Sequence, residues 1–168
     1  MLRRIRERGP VALVPLAWLV VTGAHLDLVG DDAIFVAHLV MAVFIAGFVV
    51  TGWSAMATGA LAGWRAVMVV GFGITLTGIV GFLESAEPAL AVSLVGWMLL
   101  PAAGLAYTAR ELHAARFRYT GAALSSTLGA GCYLAWLLAG VGDSIALTGF
   151  ALVGLGQTAG IVDAAVRS

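Results

Sequence analysis

The apolar residues of this chain come in six long blocks, at about 11–29, 33–53, 66–83, 89–108, 121–141 and 145–162. A helix needs roughly 20 apolar residues to cross the hydrocarbon core of a bilayer, and each block approaches or reaches that length. Within a block the apolar positions run on without the alternation that marks a membrane β-barrel strand. Ala and Leu are also too frequent, and the blocks too long, for buried strands. The pattern predicts an all-α polytopic membrane protein, a single domain over residues 1–168 built as a bundle of six transmembrane helices.

The polar positions between the blocks agree with this division. Asp31 and Asp32 precede the second block and Ser144 precedes the sixth. Side chains of this kind accept hydrogen bonds from the free N–H groups of a helix start. Pro88 stands where the fourth helix begins, a place that tolerates proline. The first block resembles a signal peptide, with Arg3, Arg4, Arg6 and Arg8 before an apolar run and Thr22-Gly23-Ala24 as a cleavage-like site. Its apolar run continues to Val29, so an uncleaved helix is expected.

Charge sets the expected orientation. All nine basic residues are arginine. With the connections numbered alternately, Arg3, Arg4, Arg6, Arg8, Arg65, Arg110, Arg116, Arg118 and Arg167 share one side. The other side carries Asp27, Asp31, Asp32, Glu84, Glu87 and Asp143 and no basic residue. A miscounted span would scramble this segregation, so it supports six spans independently of hydropathy. The positive-inside rule then predicts a plasma-membrane protein with the arginine face and both termini in the cytoplasm. Trp53, Trp64, Tyr107 and Tyr119 fall near the arginine-side ends of the blocks and are expected as interfacial aromatics. Residues 108–119 are more polar than a span. They are expected to extend the fourth helix into the cytoplasm as an arginine-rich turn, within reach of phosphate headgroups.

Composition changes the picture chiefly by exclusion. The chain is 61% hydrophobic and 11% charged, against about 25% charged in soluble domains. Too few polar side chains remain to cover a water-facing surface. Asparagine is absent, which removes N-glycosylation, and Cys132 is alone, which removes an internal disulfide. Inside an apolar block that cysteine is expected to be a small packing residue.

Twenty-two glycines carry more information. Helices in lipid associate by close packing and a few hydrogen bonds, so small residues mark contact faces. Gly156 and Gly160 form a GxxxG in the sixth block, readable as a homodimer seam or, more simply, as packing inside the bundle. Gly59 and Gly63 repeat the spacing in a stretch expected to be a loop. Pro101 lies inside the fourth block, removes a backbone donor and predicts a kink.

Candidate chemistry is sparse. No charge lies near the middle of a block, which disfavours a proton pump or ion-coupled carrier built on an intramembrane carboxylate. The sequence holds no G-x-S-x-G or H-E-x-x-H motif, and a P-loop requires the lysine this chain lacks. Ser125, Ser126 and Thr127 have no base to activate them and are expected to bond to carbonyls one turn back. The basic loop is too small for a nucleic-acid module. Gln157, the sole glutamine, needs partners in lipid. It is expected either to bond to another helix or to line a ligand pocket with Trp97 and Trp136. His25 and His38 flank the first predicted turn, near Asp27, Asp31 and Asp32. Two imidazoles with carboxylates suit a transition metal, and a bis-histidine haem is a further option. Interfacial histidines satisfied by water or loop acids are the simpler account.

Four functional classes follow, the last of them an intramembrane enzyme acting on lipid. The first is a non-enzymatic membrane protein that binds or moves a small neutral or amphipathic molecule. The second is a metal- or haem-binding redox subunit using His25 and His38. The third is an accessory subunit, or a homo-oligomer, packing against a membrane partner. Six spans in this length resemble, in size only, the substrate-binding membrane subunits of some vitamin importers.

Overall fold

The computed structural model describes residues 2–167, with side chains from residue 11 onward. The arginines at positions 3, 4, 6 and 8 lie outside the described side chains. Six α-helices run among the described residues: α1 Leu2–His25, α2 Asp31–Gly52, α3 Gly59–Leu83, α4 Glu87–Glu111, α5 Arg116–Ala139 and α6 Asp143–Arg167. A single 3-10 turn, His113–Ala115, links α4 to α5. Five of the helices are long and apolar enough to cross a membrane, whereas the apolar part of α1, Val11–His25, is shorter. The bundle's outside is covered with exposed aliphatic side chains, Val43 at 74% and Leu138 at 80% among them. Such a surface is far larger than the apolar patches soluble monomers carry, and it matches a helical membrane bundle.

Several boundaries differ from the hydropathy blocks, each for a local reason. The first helix was expected to continue to Val29 but stops at His25. Asp27 takes a left-handed backbone (φ 56°), the Leu28 N–H donates to the Gly23 carbonyl (2.8 Å) and the Asp27 N–H to that of Ala24 (3.1 Å). This pair of reversed bonds is a Schellman cap, which satisfies the last carbonyls of a helix and ends it. The turn after α3 uses the same reversed bond, with Ser85 at φ 50° and the Ala86 N–H donating to the Gly81 carbonyl, whereas α5 ends in the simpler left-handed cap, Gly140 at φ 64° donating its N–H to the Trp136 carbonyl. The stretch Gly59–Gly63, expected as a loop, is the first turn of α3, where Gly63 lies against the Tyr107 ring. The arginine-rich segment is helix for the most part: α4 runs to Glu111, breaks at Leu112, and α5 starts at Arg116. Tyr119, expected at the interface, is only 2% exposed and packs in the core with Leu105 and Ala122.

Helix order in space is α2–α3–α4–α5–α6–α1, with α4 also touching α6. The tightest pair is α5 with α6. A Cβ added to Gly129 would lie 2.5 Å from the Gly149 carbonyl oxygen, and one added to Gly149 would lie 2.7 Å from the Gly129 carbonyl oxygen. Only glycine at both sites lets the two backbones meet. The GxxxG of α6 serves the same packing. Gly156 faces the Ala122 carbonyl and Ser126 hydroxyl of α5, and Gly160 faces Leu105 of α4. Ser126 and Thr127 bond one turn back as expected, to the carbonyls of Ala122 and Ala123. Ser125 does not: its hydroxyl crosses to the Leu152 carbonyl of α6 at 2.7 Å. The helices of the first hairpin, α1 and α2, barely touch. α1 docks on α6, and α2 on α3.

Candidate functional site

Three groups of residues need placing: the Gln157–Trp97 pair, the two histidines, and a groove on the arginine side of the bundle.

An α-helical N–H bonds to the carbonyl four residues earlier. Pro101 has no N–H, so the carbonyl of Trp97 loses its helical partner. The structure supplies another: Gln157 Nε2 donates to the Trp97 carbonyl at 3.0 Å. The same amide accepts from Trp18 Nε1 on α1, also at 3.0 Å. The Trp97 indole in turn donates to Thr75 Oγ1 (3.2 Å), and Thr75 donates to the Gly71 carbonyl (2.9 Å). A continuous polar bridge therefore links α1, α6, α4 and α3 across an apolar interior. Of the two readings of Gln157, the structure shows the bond to another helix, made to the Trp97 backbone carbonyl. Trp136 is elsewhere, donating to Asp143 Oδ1 at 2.8 Å. Each of these groups is engaged by protein. The bridge repairs the proline defect and ties four helices together.

The histidines occupy different surroundings. His25 ends α1 with its ring edge-on to Trp136 (4.7 Å between centroids) and Phe150 (5.3 Å). Its Nε2 lies 3.9 Å from Asp143 Oδ1 and makes no hydrogen bond. His38 packs against Phe82 of α3 at 5.3 Å. Its Nδ1–H donates to the Ile34 carbonyl at 2.9 Å, which leaves Nε2 as an acceptor 3.5 Å from the Ser93 hydroxyl. The two rings share no partner, because α1 and α2 dock on opposite flanks of the bundle. Among the described residues no three His, Cys, Asp or Glu side chains gather as a metal-ion cluster.

The groove lies between α4 and α5 and encloses about 430 Å³. From α4 it is lined by Leu99, Ala102, Ala103, Ala106, Ala109 and Arg110. These positions recur at three- and four-residue steps and so share one helix face. From α5 it is lined by Arg116, Thr120, Ala123, Leu124 and Thr127, again at helical spacing. Alanine is what creates the space, since larger side chains on this face of α4 would fill it. The break at Leu112 and the turn His113–Ala115 bring Arg110 and Arg116 to the same end. Elsewhere on this side, Asp163 is already paired with Arg118 and Arg167, each at 2.6 Å. The sequence signal for the groove was present in two halves, an alanine-rich face in 102–109 and the arginines of 108–119. Neither half indicates by itself that α4 and α5 set them side by side.

No protein-family model, curated protein or solved structure matches the chain.

Proposed function

We propose that this chain is a plasma-membrane protein with both termini in the cytoplasm that binds an amphipathic molecule, without transforming it, in the groove between α4 and α5. One observation carries the reading. The groove is apolar along its length and cationic at one end, which is the pattern of an amphiphile in negative. The interior gives further support, being packed: Met98, Ala130 and Val153 have no exposure, and the buried Gln157 amide is consumed by the helix bridge. Binding at the side of the bundle is therefore favoured over passage through it.

The orientation rests on the segregation of arginine and is tested by labelling. In intact cells lacking Cys132, a membrane-impermeant thiol reagent is expected to modify Glu84→Cys and to leave His113→Cys unmodified until the membrane is opened. Equal modification of both would refute the orientation.

The groove is tested by filling it. Ala106 lies on the exposed face of α4, so Ala106→Trp adds volume to the groove and none to the core. Protein purified in mild detergent is expected to carry a co-purifying amphiphile detectable by native mass spectrometry. The variant, equally monodisperse, is expected to lose it. Retention identical to the unaltered protein would sink the reading.

A further inference from the structure

We infer that the occupant of the groove is a phospholipid with an anionic headgroup, its phosphate held by Arg110 and Arg116 and one acyl chain laid along the alanine face of α4. The inference rests on the proposal that this groove binds an amphiphile, and it assigns the chemical class.

The headgroup end is built from three features. Arg110 stands in the last turn of α4 and Arg116 is the first residue of α5, so the short turn presents two guanidinium groups to one opening. Neither has an ion-pair or hydrogen-bond partner among the described residues, whereas Arg118 and Arg167 are neutralised by Asp163. Guanidinium binds phosphate through paired N–H donors, which a zwitterion's quaternary ammonium would oppose. The second feature is the start of α5. Its N-cap residue, Ala115, makes no side-chain cap, and the positive end of a helix dipole favours an anion there. The third is Thr120, one turn beyond Arg116 on the same face. Thr22, Thr51, Thr75, Thr77, Thr108, Thr127 and Thr148 each return their hydroxyl to the carbonyl four residues back. Thr120 has no such bond among the described residues, so its hydroxyl is available to the opening it lines.

The tail end matches a lipid in length. Arg110 to Leu99 spans eleven residue steps, about 16 Å of helix at 1.5 Å per residue. That is about half of a hydrocarbon core roughly 30 Å thick, the depth of one leaflet. Free phosphate would use only the cationic end and leave the alanine face empty. A partner helix would have to place carboxylates against both arginines while filling a channel that only alanine keeps open.

The test uses the full chain in lipid nanodiscs containing phosphatidylglycerol and phosphatidylcholine in equal amounts, with retained lipid read by native mass spectrometry. Wild type is expected to retain phosphatidylglycerol over phosphatidylcholine by about thirtyfold, the scale of two cationic contacts near a membrane surface. The double variant Arg110→Ala/Arg116→Ala is expected to retain as much lipid in total with no preference. Arg118→Ala removes one arginine from the same helix end but outside the groove, where it is paired with Asp163, and is expected to keep the preference. Equal retention of the two lipids by wild type, or loss of preference in the double variant and in Arg118→Ala alike, would overturn the anionic assignment while Ala106→Trp still reports on the groove. Displacement of the lipid by millimolar inorganic phosphate would overturn the role of the acyl chain. Retention of neither lipid would overturn the inference and the proposed function together.

Discussion

Gly149→Ala is expected to be among the most destabilising single-methyl changes in the bundle, although alanine is the better helix former. The added Cβ would lie 2.7 Å from the Gly129 carbonyl oxygen and 3.1 Å from the Tyr133 amide nitrogen. Both are backbone atoms of α5, so no side-chain rotation relieves the contact and the whole helix must move. Separating α5 from α6 would also weaken the Ser125 bond to the Leu152 carbonyl. Overpacking of this kind costs about 1–3 kcal/mol, and rigid backbone on both sides places this site near the upper figure. Gly131 is the control, since it sits on α5 two residues from Gly129 with open space around its Cβ position. Gly131→Ala is expected to be neutral or slightly stabilising. Unfolding midpoints of the two variants in detergent, measured side by side, decide the matter. Equal midpoints would mean that the close approach of α5 and α6 does not hold the bundle.

Gln157→Leu is the second large effect, and its size should depend on Pro101. The substitution leaves the Trp97 carbonyl and the Trp18 indole without partners in a buried, apolar setting. Each orphaned group costs about 1–3 kcal/mol in soluble proteins, although interhelical bonds measured in membranes average nearer 0.6 kcal/mol. A total loss of about 2 kcal/mol is expected. Pro101→Ala restores an amide able to bond to the Trp97 carbonyl along α4. In that background the loss on Gln157→Leu is expected to shrink by about 1 kcal/mol, because only the indole is then stranded. A double-mutant cycle measures this coupling directly. Strict additivity would show that the glutamine does not compensate for the proline.

These two cases show how far the linear pattern could be followed. Gln157 was visible as a residue that must find partners, and Pro101 as one that must leave a carbonyl unpaired. Their union was not visible, since it depends on α6 lying beside α4 at a register that sets residue 157 opposite residue 97. The histidines show the reverse. His25 and His38 are neighbours in the chain, and a tight first hairpin would have paired them. Instead the small-residue faces of α5 and α6 pack together, α1 takes the free side of α6, and α2 is left against α3. Trp136 and Phe150 then surround one ring, Phe82 and Ser93 the other. The groove was divided between an alanine stripe and an arginine cluster, and only the break at Leu112 turns one against the other.

Hydropathy and charge determine how many helices this chain forms, to within a turn where each one ends, and which ends carry arginine, because those properties follow from the transfer of each segment between water and lipid. Which helices become neighbours is decided only in three dimensions. Inside a bilayer every apolar face is equally well solvated, so the choice passes to close backbone contacts such as Gly129 on Gly149 and to the few polar groups that must be paired. A one-dimensional pattern records the presence of such groups and leaves open which of them will meet.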